Sequence, residues 1–80
     1  MYEFSIDTNA PKSDMYRELV KSADALTRGE SDGVANMSNI AALLWEFLPD
    51  VNWTGFYRVT APETLKIGPY QGGHGCLVIP

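Results

Sequence analysis

Apolar residues recur at helical spacing in the first half of the chain and at strand spacing in the second. Met15, Leu19, Ala23 and Leu26 stand four, four and three residues apart, with Tyr16 and Val20 beside them. That spacing makes one face of an amphipathic helix. Ser13 is a suitable N-cap and Asp14 a favourable first-turn charge, so the helix is predicted to start near Ser13. Arg28 suits the last turn and Gly29 the position just past it. A second face follows in Val34, Met37, Ile40, Ala41, Leu44, Phe47 and Leu48. Leu43 and Trp45 widen it, which predicts contact with more than one neighbour. Ser31 or Asp32 is its expected cap, and Pro49 ends it because the residue before a proline disfavours helix. Few residues separate the two helices, so an antiparallel pair is expected. Residues 1–12 show no clean period, and Asn9-Ala10-Pro11 reads as a lead-in loop.

The pattern changes after Asp50-Val51. The run Asn52-Trp53-Thr54-Gly55-Phe56-Tyr57-Arg58-Val59 is rich in aromatic and β-branched residues, which marks a strand. Trp53, Gly55, Tyr57 and Val59 share one face of it; Thr54, Phe56 and Arg58 share the other. Thr60-Ala61-Pro62-Glu63-Thr64 reads as a turn. Leu65-Lys66-Ile67 reads as a short strand closed by Gly68-Pro69. Tyr70-Gln71-Gly72-Gly73-His74-Gly75 reads as a glycine-rich connector and Cys76-Leu77-Val78-Ile79 as a last strand before Pro80. That apolar strand is expected to be paired on one side at most, or with another copy of the chain. Two helices and three strands make a lopsided pair of layers, which predicts the N-terminal part of a larger α+β domain. The alternative is a complete mini-domain with a docked C-terminal strand.

Composition narrows the function classes. The 80 residues carry 6 Lys and Arg against 10 Asp and Glu, a net charge of −4. An acidic chain without a basic cluster is poorly suited to nucleic acid, because it has no counterion release to draw on. Apolar residues are 45% and charged residues 20%, a folding composition rather than a disordered one. One Cys and one His exclude an internal disulfide and a self-contained zinc site. The apolar run Ile40–Trp45 is far too short to span a membrane, and the acidic N-terminus lacks the features of a signal peptide. A cytosolic chain with no membrane association is expected, with Cys76 reduced.

Three features are candidates for chemistry. Trp53 and Tyr57 lie four apart on one strand face, with Gly55 between them where a side chain would be. Two aromatic walls around a hollow suit a thioether, a methyl group or a cation. The competing reading is that both rings are core and Gly55 permits close backbone packing, and spacing alone favours it. His74 and Cys76 point the same way in an extended segment, where an imidazolium would favour the thiolate. An exposed loop histidine beside a buried apolar cysteine is the plainer reading. The glycines at 68, 72, 73 and 75 are not a phosphate loop: no Gly-Lys-Ser/Thr follows and no helix starts there. They read as a turn that lets backbone approach a ligand or another loop.

Taken together, Asn52-Trp53-Thr54-Gly55-Phe56-Tyr57, Ile67-Gly68-Pro69-Tyr70-Gln71-Gly72 and Cys76-Leu77-Val78-Ile79-Pro80 resemble the GAF-domain free methionine-(R)-sulfoxide reductases. The helical half fits the same family through Tyr16, Leu26 and Gly29-Glu30, then Asn36 and Ala42-Leu43-Leu44. The resemblance covers residues 12–80 and matches only the first half of the family's domain. It implies a GAF-like α+β fold: an N-terminal helix pair followed by antiparallel strands, here a truncated GAF domain. Residues 1–12 would be a lead-in and 13–80 the domain's N-terminal half. It implies that Trp53 and Tyr57 line a pocket for free methionine sulfoxide, against the odds from spacing. It also places Cys76 as a resolving thiol in a thioredoxin-recycled disulfide cycle that needs no cofactor and no metal. The family's nucleophilic cysteine and the carboxylates that hold the substrate ammonium fall beyond residue 80, so the chain is expected to be inactive alone. His74 matches no family motif. Two other readings stay open: a small-molecule-binding GAF fragment without turnover, and a dimerising element built on the helix pair Ser13–Leu48, giving a homodimer.

Overall fold

Helix α1 spans Lys12–Thr27 and α2 spans Gly33–Phe47; strands β1 (Trp53–Ala61), β2 (Thr64–Gly72) and β3 (Val78–Ile79) follow. They are seen in a computed structural model that describes residues 3–80. The first two residues of the expected lead-in lie outside the described residues.

Helix α1 begins one residue before Ser13. Its N-cap is Pro11, whose carbonyl accepts from the backbone N–H of Asp14 and Met15, and no side chain caps it. Proline's fixed φ delivers the chain into the helix, so Ser13 falls inside the first turn instead of capping it. Asp14 is in the first turn as expected. Arg28 is the C-cap and Gly29 follows with φ +80°, a left-handed exit that suits glycine. Of the two cap candidates for α2, Asp32 takes the role: its side chain accepts from the N–H groups of Val34 and Ala35. The helix ends at Phe47, two residues before Pro49.

Buried Met15 and Leu19 of α1 meet buried Leu43 of α2. Phe4, Ile6, Ala23, Leu26, Phe47 and Leu48 pack around them. Phe4 and Ile6 show that the lead-in docks on the core; their alternation with Glu3, Ser5 and Asp7 is a two-residue period too short to stand out in sequence. Asp7 folds the segment back by accepting from the N–H of Asn9 and Ala10 before α1 starts. Tyr16 and Val20, grouped with the apolar face of α1, are exposed, as are Val34 and Trp45 of α2.

Helix α2 packs against α1 on one side and against both β1 and β2 on the other, which accounts for its broad apolar face. The sheet is antiparallel in the order β1-β2-β3. Strand β2 runs straight through Gly68-Pro69, where the sequence suggested a stop. The reason is a bulge. Gly55 pairs with Tyr70 and Tyr57 with Ile67, so two residues of β2, Gly68 and Pro69, face the single residue Phe56. A proline inside a bulge forfeits no ladder bond, so the strand survives it. A second shift near Thr60 leads into the tight turn at Pro62-Glu63, where Glu63 takes φ +55°. The last strand holds only Val78 and Ile79, paired with Lys66 and Leu65 of β2. It is a sheet edge, paired on one side, and Leu77 before it is exposed.

The radius of gyration is 14.0 Å, above the roughly 12 Å of a closed domain this size. Among the described residues no large side chain is fully buried. Both facts follow from a two-layer arrangement in which the helices cover one sheet face and leave the other open.

Candidate functional site

Thr54 fixes which way β1 faces. It is buried, and its hydroxyl donates to the Ala41 carbonyl of α2 at 2.8 Å. Strand alternation then puts Trp53, Gly55 and Tyr57 on the opposite face, away from the helices. On that open face three aromatic rings gather. Trp53 stacks with Tyr57 at 5.9 Å between ring centroids and with Tyr70 at 5.7 Å. Tyr70 comes from β2, directly across from Gly55.

The hollow expected at Gly55 is already filled. A Cβ there would stand 2.4 Å from Tyr70 Cβ and 2.7 Å from the far edge of the Trp53 indole. The indole folds back along its own strand and lies over the glycine, a common way to cover an exposed glycine in a sheet. Gly55 therefore serves close packing, as the plainer reading had it. The open space lies elsewhere, between the aromatic pair and the Gly73–Cys76 segment.

That space is a concavity of about 550 Å³ bordered by Trp53, Tyr57, Gly73, His74, Gly75 and Cys76, with Asn52 at its edge. Trp53, Tyr57, His74 and Cys76, the candidate side chains of the sequence, thus border one cavity, although 19 positions separate Tyr57 from Cys76. Cys76 is a free, exposed thiol at the rim, not a buried apolar one. His74 borders the same cavity, but no hydrogen bond joins it to Cys76 among the described residues. The Trp53 Nε1–H is buried and has no acceptor among the described residues. A buried donor left unpaired costs about 1–3 kcal/mol. Among the described residues no group of three or more His, Cys, Asp or Glu could hold a metal ion.

Sequence reasoning missed Tyr70 and Gly75. Gly68-Pro69 hides the continuing strand, so in sequence Tyr70 reads as part of a connector, whereas it lies in β2. Gly75 was one glycine among several, yet a Cβ there would stand 2.6 Å from Ile67 Cδ1 and 2.9 Å from the Tyr57 hydroxyl.

No family model matches the chain. It is 42% identical over 69 residues to the free methionine-R-sulfoxide reductase of Escherichia coli, covering 86% of this chain and 41% of that protein. The solved structure of the free methionine-R-sulfoxide reductase from Neisseria meningitidis, held in complex with its substrate, superposes with a TM-score of 0.90 at 33% identity. That match takes in 100% of this chain and 47% of the other. The chain is homologous to the GAF-domain free methionine-R-sulfoxide reductases. A solved GAF domain matches too, with a TM-score of 0.81 at 33% identity over 94% of this chain and 46% of its own, so the fold is GAF-like α+β. The chain spans about half the length of the reductases it matches. No helix among the described residues is long and apolar enough to cross a membrane.

Proposed function

We propose that this chain supplies the aromatic and resolving-thiol part of a cytosolic free methionine-(R)-sulfoxide reductase site. The observation that carries the proposal is the shared cavity of Trp53, Tyr57 and Cys76. The aromatic faces suit the methylsulfinyl end of the substrate, which is small, polarisable and partly positive at sulfur.

The chemistry requires two thiols. A thiolate attacks the sulfoxide sulfur, the oxygen is protonated and leaves with the nucleophilic sulfur as a sulfenic acid, and methionine is released. A second thiol attacks the sulfenic sulfur, a disulfide forms and water departs. Thioredoxin, a dithiol, then reduces the disulfide and is itself oxidised. Cys76 is the only cysteine in the chain, so the nucleophile and the cycle come with further sequence. Cys76 takes the resolving role.

The 80-residue chain alone is expected to show no thioredoxin-coupled turnover. Joined to the unmatched remainder of the Escherichia coli relative, it should turn over. In that joined protein Cys76→Ser should complete one round of substrate reduction but recycle slowly, as read by single-turnover and steady-state assays side by side. If Cys76→Ser abolishes the first turnover, Cys76 is the nucleophile and the assignment of its role fails. Ligand binding without turnover is the second reading, favoured by the single cysteine; it predicts sulfoxide binding and no reduction even in the joined protein.

A further inference from the structure

We propose that the Tyr57 hydroxyl is a positioning group: it latches the Gly73–Cys76 segment across the aromatic rings and so sets the Cys76 thiol at the rim of the cavity. This deepens the reductase reading and rests on it for the role of Cys76.

Two observations from different residues meet at that hydroxyl. Tyr57 Oη donates to the Cys76 carbonyl at 3.0 Å. The neighbouring residue, Gly75, lies flat against the same group, so close that an added Cβ would stand 2.9 Å from Oη. The segment is thus held by a bond at Cys76 and by close contact at Gly75. Gly75 also lies against the Ile67 side chain, where an added Cβ would stand 2.6 Å from Cδ1, so the packing is shared while the bond is Tyr57's alone. Among the described residues, residues 73–76 make no other hydrogen bond, and the next tether is the Leu77 carbonyl accepting from the Ile67 N–H at 3.0 Å. Gly73, at the other end, has open space where a side chain would go.

The consequence for chemistry is one of placement. A disulfide forms only when the two Cα atoms come within roughly 4.4–6.8 Å in a specific orientation. A thiol on a freely moving segment meets that geometry rarely; a tethered one has a higher effective concentration. Tyr57 combines both tasks, since its ring borders the cavity while its hydroxyl holds the backbone of the residue that must react next.

The test uses the 80-residue chain with a nitroxide attached to Cys76. Its paramagnetic broadening of the Trp53 indole N–H reports how tightly the segment is held over the rings. Tyr57→Phe keeps the ring and removes the bond, so the unlatched population should rise about fivefold, weakening the broadening. Gly75→Ala should do the same from the other side, and Gly73→Ala should change nothing. Heteronuclear NOE values at residues 73–76 should fall in the first two variants while those of β1 and β2 hold. If Tyr57→Phe and Gly75→Ala both leave broadening and NOE at wild-type values, the latch is overturned. A lowered melting midpoint with an unmoved segment would overturn it as well, since the hydroxyl would then be structural only. In the joined protein, Tyr57→Phe should slow steady-state turnover more than the first turnover; equal slowing of both counts against positioning. No turnover in any joined variant, with the segment responding as expected, defeats the reductase reading and leaves the latch standing.

Discussion

At the scale of single residues, Gly55 and Thr54 decide what the first strand can do. Thr54 ties one face to α2, and the glycine beside it lets the Trp53 ring lie down on the other. A methyl group at residue 55 would collide with the Tyr70 Cβ, which is anchored to the backbone and cannot swing aside. Gly55→Ala is therefore expected to destabilise the chain by about 1–3 kcal/mol through overpacking, measured by urea unfolding. A neutral result would mean that the indole is not held over the glycine. The pairing of Trp53 and Tyr57 on one face was legible in their four-residue spacing. The filling of the gap was not, because it depends on Tyr70 arriving from across the sheet, and that arrival is set by a bulge of two residues. The exposure of Cys76 was likewise hidden: a cysteine next to Leu77-Val78-Ile79 reads as strand core, whereas the strand starts only at Val78.

Among the elements, the helices were the most readable and the strand ends the least. Spacing found the buried stripe of α1 because a single core sets a single period. It also counted Tyr16 and Val20, since period alone does not say how wide a covered stripe is. Leu19→Ala should cost about 2–5 kcal/mol, as expected for a large-to-small change in a packed core. Val20→Ala, one residue on and 68% exposed, should stay within about 0.5 kcal/mol. Denaturant melts of the two variants compare them directly, and equal losses would contradict the placement of α1. Asp32→Ala removes the acceptor for two N–H groups at the start of α2 and should cost about 1 kcal/mol. Ser13→Ala should cost less, because Pro11 and not Ser13 stands at the N-cap.

For the whole molecule, the arrangement is a sheet covered by helices on one face and carrying an aromatic cluster, a cavity and an exposed thiol on the other. The chain matches 41% of the Escherichia coli reductase and 47% of the Neisseria meningitidis one, so each of those proteins has more than this chain's length left over. The fold class was legible because helix and strand periods occupy separate halves of the sequence. The cavity was not, because its far wall is a glycine-rich segment whose path is set by one tyrosine hydroxyl. The central claim is that Trp53 works on the ligand side of this sheet while Phe56, on the helix side, works only for stability. The most direct measurement is calorimetric binding of free methionine-(R)-sulfoxide to the joined protein, comparing Trp53→Ala with Phe56→Ala after correcting each for its unfolded fraction. The account predicts that Trp53→Ala weakens binding by about tenfold or more, the loss of an aromatic contact surface, while Phe56→Ala leaves corrected binding near wild type. Equal corrected losses for the two variants would contradict it and return Trp53 to the core.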